Sequence, residues 1–168
     1  MAALFLWLLL AAGALLPPAE AQEEYDRLPN EFKKAADLGL AQQNSRGKGK
    51  HHFLYFKSLM RSDIQPGSGV LYLYHHFYLK ATRCPKGTVD TSNCPFRTNR
   101  PEIDCAVCYK AILGTIQAWP EPYVSCTHKP ALTEAKKNAR VDHCNRMGYS
   151  SGAPGGMADP VRNDPPFY

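Results

Sequence analysis

The residues best equipped for chemistry in this chain are six cysteines: Cys84, Cys94, Cys105, Cys108, Cys126 and Cys144. Thiols serve three purposes at such spacings: they ligate zinc, cycle as a redox pair, or close disulfides. Cys105-Ala106-Val107-Cys108 has the spacing of half a zinc site or of a dithiol. A zinc site needs a second matched pair, however, and Cys126 and Cys144 stand 18 residues apart. The surrounding segment alternates like a strand, and strand residues three apart point to opposite faces. Two such sulfurs do not converge on one ion, but each can bridge to a different partner. An even number of cysteines in an exported chain is a disulfide framework, because the oxidising route removes free thiols. No metal site and no cofactor are expected.

Histidine is the next group that could act. His51-His52 and His75-His76 are adjacent pairs whose strand neighbours face opposite ways, so neither pair makes a site by itself. His75 falls on the face of Leu71 and Phe77, where a hydrogen-bonded core histidine is expected. No Gly-x-Ser-x-Gly, His-Glu-x-x-His or phosphate-cradling loop occurs. With the cysteines committed to bridges there is no thiol nucleophile, so no catalytic residue is assigned and the chain does not read as an enzyme. Charge offers binding instead: 20 Lys and Arg stand against 15 Asp and Glu, a formal net charge of +5. Arg46, Lys48 and Lys50, followed by His51 and His52, form one cationic segment; Lys136, Lys137 and Arg140 form another. Such patches attract sulfated sugars or anionic lipid through fields that salt weakens; they also suit a solvated loop and a solvated helix face. No nucleic-acid partner is expected.

These groups must be positioned by a small domain. Residues 1–21 read as an export signal: Ala2 to Leu16 is apolar apart from Gly13, Pro17-Pro18 breaks the run, and Ala19-Glu20-Ala21 is a small-x-small cleavage site. The apolar run of about 15 residues is shorter than the roughly 20 that a membrane-spanning helix needs, so a secreted chain starting at Gln22 is expected, with no stable membrane insertion. Leu28, Phe32, Ala35, Ala36 and Leu40 recur at helical spacing and predict one amphipathic helix over 28–43, although Gly39 is unfavourable near its end. Strands follow at His52–Leu59, Val70–Thr82, Ile103–Leu113 and Tyr123–Thr127. Val70–Thr82 alternates over its whole length, with one face on a core and one nearer water. Leu132 to Arg140 could form a short helix, but its apolar periodicity is poor. One helix followed by strands joined by short turns gives an α+β domain over 22–147. From Gly148 to Tyr168, four Gly and four Pro among 21 residues leave too little to bury, and a disordered Gly/Pro-rich tail is expected.

The cysteine steps of 10, 11, 3, 18 and 18 residues, the Cys105-Ala106-Val107-Cys108-Tyr109-Lys110 run and the helix-then-strands order resemble the chemerin family, the six-cysteine branch of the cystatin/cathelicidin-like group. The similarity spans roughly residues 25–146. It implies a cystatin-like fold: an antiparallel sheet of four or five strands wrapped around one N-terminal helix. It further implies the pairs Cys84–Cys94, Cys105–Cys126 and Cys108–Cys144, one of 15 connectivities open to six cysteines. For function it implies a secreted signalling precursor. In that family C-terminal processing frees an end that acts on a G-protein-coupled receptor as a chemoattractant and adipokine in inflammatory responses. The tail here offers Arg162 as a trypsin-type cleavage point and Phe167 and Tyr168 as terminal aromatics. It lacks the aromatic-Pro-Gly-x-Phe run of the family's active end, so no receptor-binding residue is carried over.

Two other readings use different surfaces. Cystatin-type inhibition of extracellular papain-like proteases uses a Gln-x-Val-x-Gly first hairpin and a Pro-Trp second hairpin. The corresponding segments here are Gln65-Pro66-Gly67-Ser68-Gly69, without the valine, and Trp119-Pro120, the dipeptide reversed. Trp119 also suits a turn aromatic packed on the sheet. Host defence or glycosaminoglycan binding would use Arg46, Lys48 and Lys50.

Overall fold

A computed structural model of the chain describes residues 20–149. Most of the expected export signal lies outside the described residues, as does the tail from 150 onward with Arg162, Phe167 and Tyr168. The first described elements are a short helix, α1 (Glu20–Asp26), and a longer one, α2 (Asn30–Arg46). On α2 the positions Phe32, Ala35, Ala36 and Gly39 are buried at helical spacing, and they form the stripe that lies on the sheet. Gly39, unfavourable for helix propensity, is where the helix comes closest: a Cβ there would stand 2.8 Å from Phe77 Cζ. Asn44 then clamps the sheet edge, its amide donating to the Phe53 carbonyl (2.9 Å) and accepting from the Phe53 N–H (2.8 Å).

The sheet is antiparallel, with strands β1 (His51–Gly67), β2 (Val70–Pro85) and β3 (Ile103–Ile112) in order. Two further strands share the remaining edge of β3: β4 (Thr115–Ile116) at its end and β5 (Tyr123–His128) at its start. β1 is longer than its apolar residues suggest. It runs on through Arg61, Asp63 and Gln65, held by backbone pairing with β2 although those side chains are polar. The fold is α+β, one long helix against a five-stranded antiparallel sheet stapled by three disulfides.

Both faces of the central strands are buried, which corrects the expectation of a water-facing side. Toward α2 lie Leu73, Phe77, Leu79, Ile103, Val107 and Tyr109. On the reverse, Tyr72 and Tyr74 are 1% and 4% exposed and form a second core with Ala106, Cys108, Cys144 and Met147. The covering element is a third helix, α3 (Glu134–Tyr149), longer than the short helix considered at 132–140. Its apolar stripe is weak because it is attached by other means: Cys108–Cys144 ties it to β3 covalently.

Cys105 belongs to the core under α2 and Cys108 to the core under α3, the opposite-face placement that a strand demands. Cys105 bonds Cys126 directly across the β3–β5 pair, Cys84 bonds Cys94, and no cysteine among the described residues is free. The zinc and dithiol readings therefore lose their ligands. No helix among the described residues is long and apolar enough to cross a membrane.

Candidate functional site

Two hairpins turn at the same end of the sheet. β1 and β2 close through Ser68 and Gly69, with φ of 53° and 71°; β3 and β4 close through Leu113 and Gly114, with φ of 48° and 78°. Positive φ at both central residues defines the two-residue turn whose twist matches that of paired strands. Register sets the turns side by side, since Val70 faces Ile112. The Leu113 N–H then donates to the Gly69 carbonyl at 2.8 Å, so the two turns form one ridge. α2 adds a third contact, its Lys34 ammonium donating to the Gly114 carbonyl at 2.6 Å.

Leu113 is the unusual residue. Left-handed backbone brings Cβ against the following carbonyl and costs an ordinary residue about 1–2 kcal/mol, which is why Gly and Asn dominate such turns. Here the position carries a leucine whose side chain is 82% exposed, so burial does not offset that cost. Part of the side chain lies over Gly69, where an added Cβ would overlap Leu113 Cδ2. Gly69 is thus needed twice, for its φ and for its neighbour. β3 stops at Ile112, short of the expected strand end at Leu113; the Leu113-Gly114 pair followed by β-formers is the signal of a turn there.

Trp119 is the second exposed apolar group. It is 85% exposed and does not pack on the sheet, which corrects the reading of it as a packed turn aromatic. It sits in the 117–122 segment between β4 and β5, anchored where the Gln117 N–H donates to the Lys110 carbonyl at 2.9 Å. With Lys110, Pro122, Tyr123 and His143 it lines an open groove of about 730 Å³ beside α3. On its floor the Tyr123 and His143 rings stack with centroids 4.0 Å apart. Burial pushes the His143 imidazole below its ordinary pKa, with Arg146 adding to the effect, so the groove is lined by a neutral ring at neutral pH.

The remaining candidates are elsewhere. Arg46, Lys48 and Lys50 are exposed but lie at the far end of β1, away from the ridge. Arg140 is not part of a surface patch with Lys136 and Lys137: it is 3% exposed and ion-paired with Asp104. His75 is a core residue, donating from Nδ1 to the Phe32 carbonyl (3.2 Å) with Nε2 at 2.9 Å from Ser58 Oγ. Burial depresses its pKa to about 3, which leaves no proton to exchange near neutral pH.

No protein-family model matches the chain, and no curated protein matches it. Among solved structures it is similar to the crystal structure of Al-CPI, at 17% identity and a TM-score of 0.41, over 60% of this chain and 87% of that one.

Proposed function

We propose that this protein is an extracellular regulator that works by binding, inserting the joined turns at residues 68–69 and 113–114 into a cleft of its partner, and that the partner class is a papain-like cysteine protease. The observation that carries the reading is Leu113: an exposed leucine held in left-handed backbone at the crest of a narrow ridge. A residue that costs stability and buries little has its use in a complex. The valine missing from the first turn is matched by this leucine, supplied from the second. Trp119 supplies a further apolar contact beside the ridge, and three disulfides keep the scaffold stiff against a proteolytic partner. The test is titration of the exported protein against a papain-like protease with a small fluorogenic substrate. Stoichiometric loss of activity is expected, and full activity in a large molar excess of the protein overturns the reading.

A second reading is the signalling precursor of the chemerin type. It is favoured by the disulfides, since the three pairs formed are those the resemblance implied. Under it, the segment after α3 is processed and acts on a G-protein-coupled receptor. Migration of receptor-bearing cells toward the intact chain, and toward a chain ending at Tyr149, separates the two. Protease inhibition that survives trimming supports the ridge, and migration lost on trimming supports the signal.

A further inference from the structure

At the end of the sheet away from the ridge, about 50 Å along β1 at roughly 3.3 Å per residue, separate segments deliver cations to one place. The end of α2 and the loop after it bring Arg46, Lys48 and Lys50, and the β2–β3 connection brings Lys86, Arg97 and Arg100. Hydrogen bonds join these segments. The Lys86 N–H donates to the Lys50 carbonyl at 2.9 Å, and its ammonium donates to the carbonyls of Gly47 (2.6 Å) and Ser45 (3.2 Å). Arg97 Nη1 stands 2.7 Å from His51 Nε2, while its backbone N–H donates to the Ala81 carbonyl at 2.9 Å. The Cys84–Cys94 bond closes the stretch between them. His51 senses the result: its pKa is lowered first by desolvation, then by the charges of Arg97, Arg100 and Lys50.

Carboxylates are nearly absent here. Residues 38–62 carry five Lys and Arg and no Asp or Glu; residues 80–101 carry five and a single carboxylate, Asp90. Asp90 is itself engaged, accepting from Ser92 Oγ at 2.6 Å and from the Ser92 N–H at 3.1 Å. Like charges gathered on a fixed backbone repel one another and concentrate a field that draws polyanions. We propose that this end of the sheet is a docking surface for a sulfated glycosaminoglycan. The exported, disulfide-bonded character puts the chain where such polymers are. The large apolar side chains exposed in these stretches are Val89 and the half-exposed Leu59, which give a lipid surface little area to grip. Because the patch and the ridge are at opposite ends, a tethered molecule keeps its ridge free, and the proposal stands apart from the protease reading.

The test is retention of the exported protein on immobilised heparin and its dissociation constant at physiological salt. A Lys48→Gln, Lys50→Gln, Arg100→Gln variant is compared with Arg27→Gln, Lys33→Gln, Lys110→Gln, which removes the same charge toward the ridge end, where Lys110 lies opposite Tyr72 and the start of α2 meets Gly114. Loss of three exposed ion-pair contacts corresponds to a dissociation constant about tenfold higher; the control is expected to bind like the wild type. A heparin oligosaccharide is also expected to raise the melting temperature of the wild type, a readout that needs no variant. The proposal is overturned if the two variants weaken equally, if the wild type is not retained at physiological salt, or if it binds phosphatidylserine vesicles and ignores heparin.

Discussion

Arg140 on α3 donates from Nη1 to the Asp104 carboxylate of β3 at 2.5 Å, with each side chain 4% exposed. The same guanidinium donates from Nη2 to the Asp104 carbonyl (3.1 Å) and from Nε to Ser125 Oγ (3.0 Å). His76 Nε2 approaches the carboxylate at 2.9 Å. Burial opposes ionisation of Asp104, but the bonds and charges of His76 and Arg140 outweigh it and hold the carboxyl below its ordinary pKa. One arginine thereby docks a helix whose apolar stripe is too weak to dock itself.

Removing one member of this pair strands a buried charge. Arg140→Ala is expected to cost about 3–5 kcal/mol in urea unfolding, whereas Arg140→Met combined with Asp104→Leu should recover most of that loss. Equal losses in the single and double variants would show that the ion pair is not what holds α3.

Stability should depend on His75 at mildly acid pH. The folded protein holds the imidazole neutral down to about pH 3, chiefly through desolvation. The unfolded chain takes up a proton near its ordinary pKa of about 6.5. Between those values the unfolded state binds more protons, so stability is complete above about 6.5 and falls as pH drops toward 3. Going from pH 7 to pH 5 should remove about 2 kcal/mol through this residue alone. His75→Gln, measured by urea unfolding at both values, should show a drop smaller by that amount. An unchanged drop would assign the acid sensitivity to other groups.

The ridge should trade stability for binding. Leu113→Gly removes the left-handed strain and should leave the melt unchanged or raise stability by about 1 kcal/mol, while weakening protease inhibition. Gly69→Ala does the opposite to the scaffold: it forces a methyl onto Leu113 and into positive φ, and should destabilise by about 1–2 kcal/mol. Calorimetry and the protease titration on the same samples check both. A Leu113→Gly variant that inhibits as well as the parent removes Leu113 from the site.

The Cys108–Cys144 bond should matter as much as the ion pair. Cys108→Ala with Cys144→Ala is expected to lower stability by about 2–4 kcal/mol and to loosen α3 ahead of the β1–β2 hairpin, visible as earlier amide exchange at Arg140 to Cys144. Full reduction should unfold the chain at body temperature. Melts that overlay with and without reductant would refute this.

Short-range pattern was enough for several features. Period-two alternation from Val70 to Thr82 revealed β2, helical spacing of Phe32, Ala35 and Ala36 revealed α2, and the strand setting of Cys105 and Cys108 required their sulfurs to point apart. Each follows from repeat geometry that a few neighbouring residues define. What escaped the sequence depends on residues far apart in the chain. Gly39 looks like a flaw in a helix until Phe77 is beneath it. Arg140 looks solvated until Asp104 lies opposite, and Leu113 looks like the last residue of a strand until Gly69 stands beside it. Periodicity records which face a residue is on, but not what that face meets. The encounter of the two hairpins, the anchoring of α3 and the gathering of cations around His51 were decided by strand register and helix docking, which long-range contacts alone fix.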